Sequence, residues 1–74
     1  MGKGKKVVIK ARNRFEVLPR ITGMFRKRRF DIQEFKVFFN KEGDVCEMQV
    51  VVGEDDLDQL IKQSEKLIDV VLVS

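Results

Sequence analysis

The apolar residues of this chain change their spacing in a fixed order, and that order restricts the fold more than any other feature. In Lys5 to Arg12, Val7, Ile9 and Ala11 alternate with Val8, Lys10 and Arg12, the two-residue period of a strand with one buried face. After Asn13, Arg14 and Phe15 the spacing becomes helical. Val17, Leu18, Ile21, Met24, Phe25 and Arg28 fall at helical spacing in one stripe with basic residues around it, predicting a helix from about Glu16 to Arg29. Pro19 is then expected in the first turn, where its missing N–H does no harm.

Ile32 to Asn40 reads as a second strand with Phe35, Val37 and Phe39 on one side. Lys41-Glu42-Gly43-Asp44 is a polar turn whose Gly suits a positive φ. Val45 to Val52 is a third strand, with Cys46, Met48, Val50 and Val52 on one face. Gly53-Glu54-Asp55-Asp56 opens a second helix with Leu57, Leu60, Ile61, Ser64 and Leu67 as its inner stripe. Asp69 ends that connection, and Val70 to Val73 forms a fourth strand.

The order β-α-β-β-α-β, with right-handed crossovers, predicts an α+β, ferredoxin-like sandwich. Its four-stranded antiparallel sheet has the spatial order 4-1-3-2, with both helices on one face. The whole of residues 1–74 is expected to form one domain.

Charge divides the chain in two. Residues 1–41 carry thirteen Lys and Arg against three acids, and residues 42–74 carry two Lys against nine acids. The antiparallel helices of this topology put the Arg26 to Arg29 end of the first beside the Asp55 to Asp58 end of the second. Pairing between those ends is therefore expected, as an alternative to phosphate contact by the arginines.

The longest apolar runs are too short to cross a bilayer, and the basic start does not read as a signal peptide. With one Cys and no His, internal disulfides and the usual zinc and serine-triad arrangements are excluded. A reducing, cytoplasmic location is expected, with Cys46 as a small buried hydrophobe. No nucleophile has a partner base, and no carboxylate pair has a spacing suited to acid/base work, so catalysis by this chain is not expected.

Other features have two readings each. The first strand-to-helix connection is an ordinary turn or an anion-binding helix N-terminus. Phe35, Phe38 and Phe39 are core or interface residues, or an RNA-stacking platform; the platform reading requires aromatics on the open face of the central strands. Gly23, in mid-helix, costs about 1 kcal/mol relative to Ala and marks a close contact with the second helix or with a partner. A chain this small buries barely enough apolar surface to offset its ordering entropy, so self-association through the Phe- and Val-rich second strand is expected. The candidate dimer interface is Phe35, Val37, Phe38 and Phe39.

The stretch Asn13-Arg14-Phe15-Glu16-Val17-Leu18-Pro19-Arg20-Ile21-Thr22-Gly23-Met24-Phe25, followed by Arg28-Arg29-Phe30-Asp31-Ile32, resembles the N-x-P-G-V-L-x-R-I-x-G-L-F…R-R-G-F-N-I signature of ACT domains. Together with Gln63 to Val73, it is more narrowly similar to the small regulatory subunits of acetolactate synthase, either in a short, ACT-only form or as a fragment of a longer one. The resemblance implies a side-by-side homodimer that binds a branched-chain amino acid such as valine at its interface. It also implies docking on a catalytic large subunit that holds thiamine diphosphate, Mg²⁺ and FAD, with no cofactor in this chain. Asn13, Phe15, Glu16, Val17, Leu18, Asp31 and Ile32 are the implied effector-site positions. Phe15 replaces the signature Pro, Glu16 replaces Gly and Asp31 replaces Asn. Both of the latter changes add a carboxylate, so weak or absent valine response is expected. An amino-acid sensor for another enzyme and an RNA-binding module of the same fold are the alternatives.

Overall fold

In a computed structural model, which describes residues 4–12, 14–42, 45–67 and 70–74, the elements follow the expected order. They are β1 (Gly4–Arg12), α1 (Arg14–Arg28), β2 (Ile32–Phe39), β3 (Val45–Gly53), a 3-10 turn (Glu54–Asp56), α2 (Leu57–Glu65) and β4 (Val70–Val73). The sheet order is β2-β3-β1-β4, antiparallel throughout, which is the expected 4-1-3-2 arrangement. The Gly43-Asp44 turn, Asp69 and Asn13 lie outside the described residues.

Alternation in the two central strands makes the core. Val7 is opposite Val50, Ile9 opposite Met48 and Ala11 opposite Cys46, and all six are fully or almost fully buried. α1 covers them with Val17 and Ile21, and α2 with Leu60 and Ser64. Phe25 of α1 meets Phe35 of β2 edge-to-face, ring centres 5.4 Å apart, a favoured geometry for the aromatic quadrupoles. In β2 the register shifts between Ile32 and Glu34. This bulge is what lets Ile32, opposite Val52, and Phe35, opposite Val50, share the inner face despite their spacing of three.

The termini of the helices differ from the sequence expectation. α1 starts at Arg14 rather than Glu16, so Pro19 lies inside the helix rather than in its first turn. It removes the N–H that would bond the Phe15 carbonyl. At the other end Phe30 N–H donates to the Phe25 carbonyl (3.2 Å) and Arg29 N–H to the Arg26 carbonyl (3.3 Å). That is a Schellman closure, and Arg29 occupies its left-handed position with φ 54°. Glycine is the residue such a position favours. Replacing Arg29 by Gly is therefore expected to raise stability by about 0.5–1 kcal/mol, because the relief of the Cβ contact exceeds the entropy cost. A urea midpoint that falls instead would show that the Arg29 side chain makes a contact worth more than the strain.

α2 is preceded by a separate 3-10 turn rather than starting at Gly53. Ser64 is fully buried, and its hydroxyl has no hydrogen-bond partner among the described residues.

Candidate functional site

The positions implicated by the signature fall into two groups at opposite ends of α1. In its first turn Phe15 is 78% exposed and Glu16 is exposed, while Val17 is buried and Leu18 half-buried. The helical stripe explains this alternation: Val17 and Leu18 face the sheet, and Phe15 and Glu16 face away. Glu16 holds its carboxylate in the first turn, near the unbonded N–H groups and the positive end of the dipole.

Asp31 and Ile32 follow the other end of the helix. At a rise of about 1.5 Å per residue, α1 separates them from its first turn by roughly 20 Å. One chain therefore does not bring the two groups together. The sheet register fixes their relation: Phe39, Cys46 and Ala11 form a row at the end where α1 begins, whereas Ile32, Val52 and Lys5 form a row at the other end.

Asp31 is tied into its own chain. Its N–H donates to Asp56 Oδ2 (2.8 Å), its carbonyl accepts from Gly53 N–H (2.9 Å), and its Oδ2 accepts from Gln33 Nε2 (3.2 Å). A Cβ at Gly53 would stand 2.7 Å from Asp31 Oδ2 and 3.2 Å from Asp31 Cβ. Gly53 thus permits a close approach that joins the start of β2 to the 3-10 turn.

That network also answers the expectation of ion pairing between the helix ends. Asp56 accepts a backbone N–H, and among the described residues the sole ion pair within 4.0 Å is Lys36 with Glu34 on β2. Arg26, Lys27, Arg28 and Arg29 are exposed and have no carboxylate of the described residues within that distance. For Gly23, one of the two expected contacts is excluded. Nothing stands within 4 Å of where its Cβ would be, so it marks no contact with α2.

β2 is a sheet edge. Phe35 and Val37 are half-buried on its inner side, whereas Phe38 and Phe39 are each 49% exposed. On the open face, the central strands carry Lys6, Val8, Lys10 and Arg12 from β1, and Val45, Glu47, Gln49 and Val51 from β3. Those positions include no aromatic side chain, so the stacking platform of an RNA-binding sheet is not formed there. No group of His, Cys, Asp or Glu among the described residues is placed to hold a metal ion. No described helix is long and apolar enough to cross a membrane.

A four-stranded antiparallel sheet of this order, backed by two helices and carrying the signature residues at both ends of α1, defines an ACT domain. A profile described as the AHAS small subunit-like ACT domain matches residues 8–72, and the chain belongs to that family. It is 37% identical over 70 residues to the probable acetolactate synthase small subunit of Archaeoglobus fulgidus, a match covering 92% of this chain and 44% of that protein. Against the acetolactate synthase small subunit of Bacillus subtilis it is 43% identical over 65 residues, covering 84% of this chain and 38% of the relative. The chain thus spans less than half the length of these curated relatives. The crystal structure of the Thermotoga maritima acetolactate synthase small subunit superposes with a TM-score of 0.82 at 25% identity, over all of this chain and 47% of that one. The ACT domain of a GTP pyrophosphokinase from Chlorobium tepidum shares the fold alone, with a TM-score of 0.80 at 17% identity.

Proposed function

We propose that this chain is the regulatory, non-catalytic small subunit of a cytoplasmic acetolactate synthase in branched-chain amino-acid biosynthesis. It activates a separate catalytic subunit, which holds the thiamine diphosphate, Mg²⁺ and FAD. The observation that carries this reading is the similarity to small subunits over nearly the whole chain, at up to 43% identity. The expected behaviour of the purified chain, mixed with the catalytic subunit of its own source, is co-elution as a stoichiometric complex. Separate elution at micromolar concentration of both would overturn the assignment.

The chain acts as a homodimer joined along β2. Antiparallel pairing of two such edges about a twofold axis brings Asp31 and Ile32 of one copy to the end of the other copy where Phe15 to Leu18 lie. The split between the two groups of effector positions supports this arrangement, since a second chain is what reunites them.

Within that interface the effector site is weakened. Glu16 and Asp31 place carboxylates where the family signature has Gly and Asn, and a ligand carboxylate brought within about 4 Å of either meets a repulsion on the order of 1–4 kcal/mol. Since about 1.4 kcal/mol is tenfold in affinity, valine is expected to bind the native chain at least tenfold more weakly than the Glu16→Gly, Asp31→Asn variant. Titration calorimetry measures the difference directly. Tight valine binding that the double substitution leaves unchanged would show that these two carboxylates do not face the ligand.

A further inference from the structure

The outward face of α1 carries two features that neither the core nor the effector positions explain. Pro19 and Gly23, the two residue types least suited to a helix interior, lie four apart on this exposed face of a 15-residue helix. Solvent exposure sets no requirement for either. Gly23 leaves open space where a side chain would stand, between a depression of about 250 Å³ against Pro19, Thr22 and Arg26 and a groove of about 310 Å³ towards α2. That groove has half-buried Met24 and Leu67 in its lining, with Arg20, Lys27, Arg28 and Lys66 around them.

The second feature is the charge. Among the described residues, none of these four cations has a carboxylate within 4.0 Å, although the chain has twelve acids in all. On α1, Glu16 alone is acidic, and it sits in the first turn. On α2, Asp58 is in the first turn, away from Lys66 at the far end, and Glu65 lines a different depression with Val70, Val71 and Val73. Like charges are thus gathered round a partly apolar groove, and no described carboxylate stands within ion-pair distance of them.

We propose that this groove is the docking surface for an acidic protein surface, one that seats an apolar side chain over Gly23 and sets carboxylates against Arg20, Lys27, Arg28 and Lys66. The inference rests on the regulatory-subunit reading above, which makes the acidic surface part of the catalytic subunit. A protein suits the site better than a nucleic acid, because the gap at Gly23 with Met24 and Leu67 accepts an apolar knob rather than a phosphate backbone. The site is also separate from the β2 edge, so docking leaves the homodimer intact.

The test compares three forms of the chain for binding to the catalytic subunit: native, Gly23→Leu, and Lys27→Glu with Lys66→Glu. The side chain added by Gly23→Leu projects into open space and favours the helix, so the melting temperature of that variant is expected to equal or exceed the native one. Its affinity for the catalytic subunit is expected to fall at least tenfold. Charge reversal is expected to slow association at least tenfold, and to remove most of the salt dependence of the native rate. Native binding with both variants equal to it overturns the groove and leaves the regulatory reading standing. No binding by the native chain overturns both. A 20-nucleotide RNA serves as the competing probe, and retention of that RNA by the native chain, lost in the charge-reversed variant while catalytic-subunit binding persists, also overturns the proposal.

Discussion

Replacing Ile9 by Ala is expected to lower the stability of the chain by about 3–4 kcal/mol. Ile9 is fully buried in a central strand, opposite Met48 of β3 and Val73 of β4. Truncation removes its transfer free energy and leaves a cavity that the paired strands on both sides hold open. Native domains of ordinary size have only about 5–15 kcal/mol of stability in total, and a small one lies near the lower end. A large part of the variant population should therefore be unfolded near physiological temperature. Its neighbour Lys10 is exposed, and Lys10→Ala is expected to change stability by less than about 0.5 kcal/mol. Urea midpoints for the two variants check the pair, and similar losses in both would mean that the alternation of β1 does not define the core.

Replacing Phe38 and Phe39 together by Lys is expected to weaken self-association at least a hundredfold. Each ring is 49% exposed on an edge strand, and large aromatics at the centre of an interface commonly contribute about 2 kcal/mol or more apiece. Lysine on an edge also blocks strand addition, since pairing two β2 edges would require desolvating the new charges close together. Sedimentation equilibrium should show a dimer for the native chain and a monomer for the variant at the same micromolar concentration. Circular dichroism should retain the sheet and helix signal in both. A native chain that sediments as a folded monomer would contradict pairing along β2.

Much of the fold was legible because one face of each element is buried. The alternation in Lys5 to Arg12 and Val45 to Val52 placed the inner residues correctly, and the strand bounds differ by one residue at an end. What the pattern could not reveal were local departures from ideal geometry. Pro19 was expected at the helix start because a proline there is harmless; Val17 and Ile21 instead carry the helix past it by packing on the sheet. The left-handed Arg29 had a signal in the signature itself, which has Gly where this chain has Arg29. The bulge after Ile32 had none, since a spacing of three apolar residues in a strand also fits an ordinary outward turn of one side chain.

The candidate site was less legible for a different reason. The spacing puts Phe15 in the connection and Glu16, Val17 and Leu18 at the helix start, whereas α1 begins at Arg14 and takes in all four, and within one chain its length keeps them apart from Asp31 and Ile32. Arg26 to Arg29 were expected to be compensated by Asp55, Asp56 and Asp58, because overall charge balance is visible in a sequence. The distances between side chains are not visible, and none of these arginines comes within 4.0 Å of a described carboxylate.

If this chain is an activating subunit, the rate at which the catalytic subunit condenses pyruvate to acetolactate, measured with saturating thiamine diphosphate, Mg²⁺ and FAD, changes as the chain is titrated in. The chain alone is expected to show no turnover, and the catalytic subunit's rate is expected to rise saturably and level off at equimolar subunits. A rate that stays flat across a tenfold excess of folded chain would contradict that role.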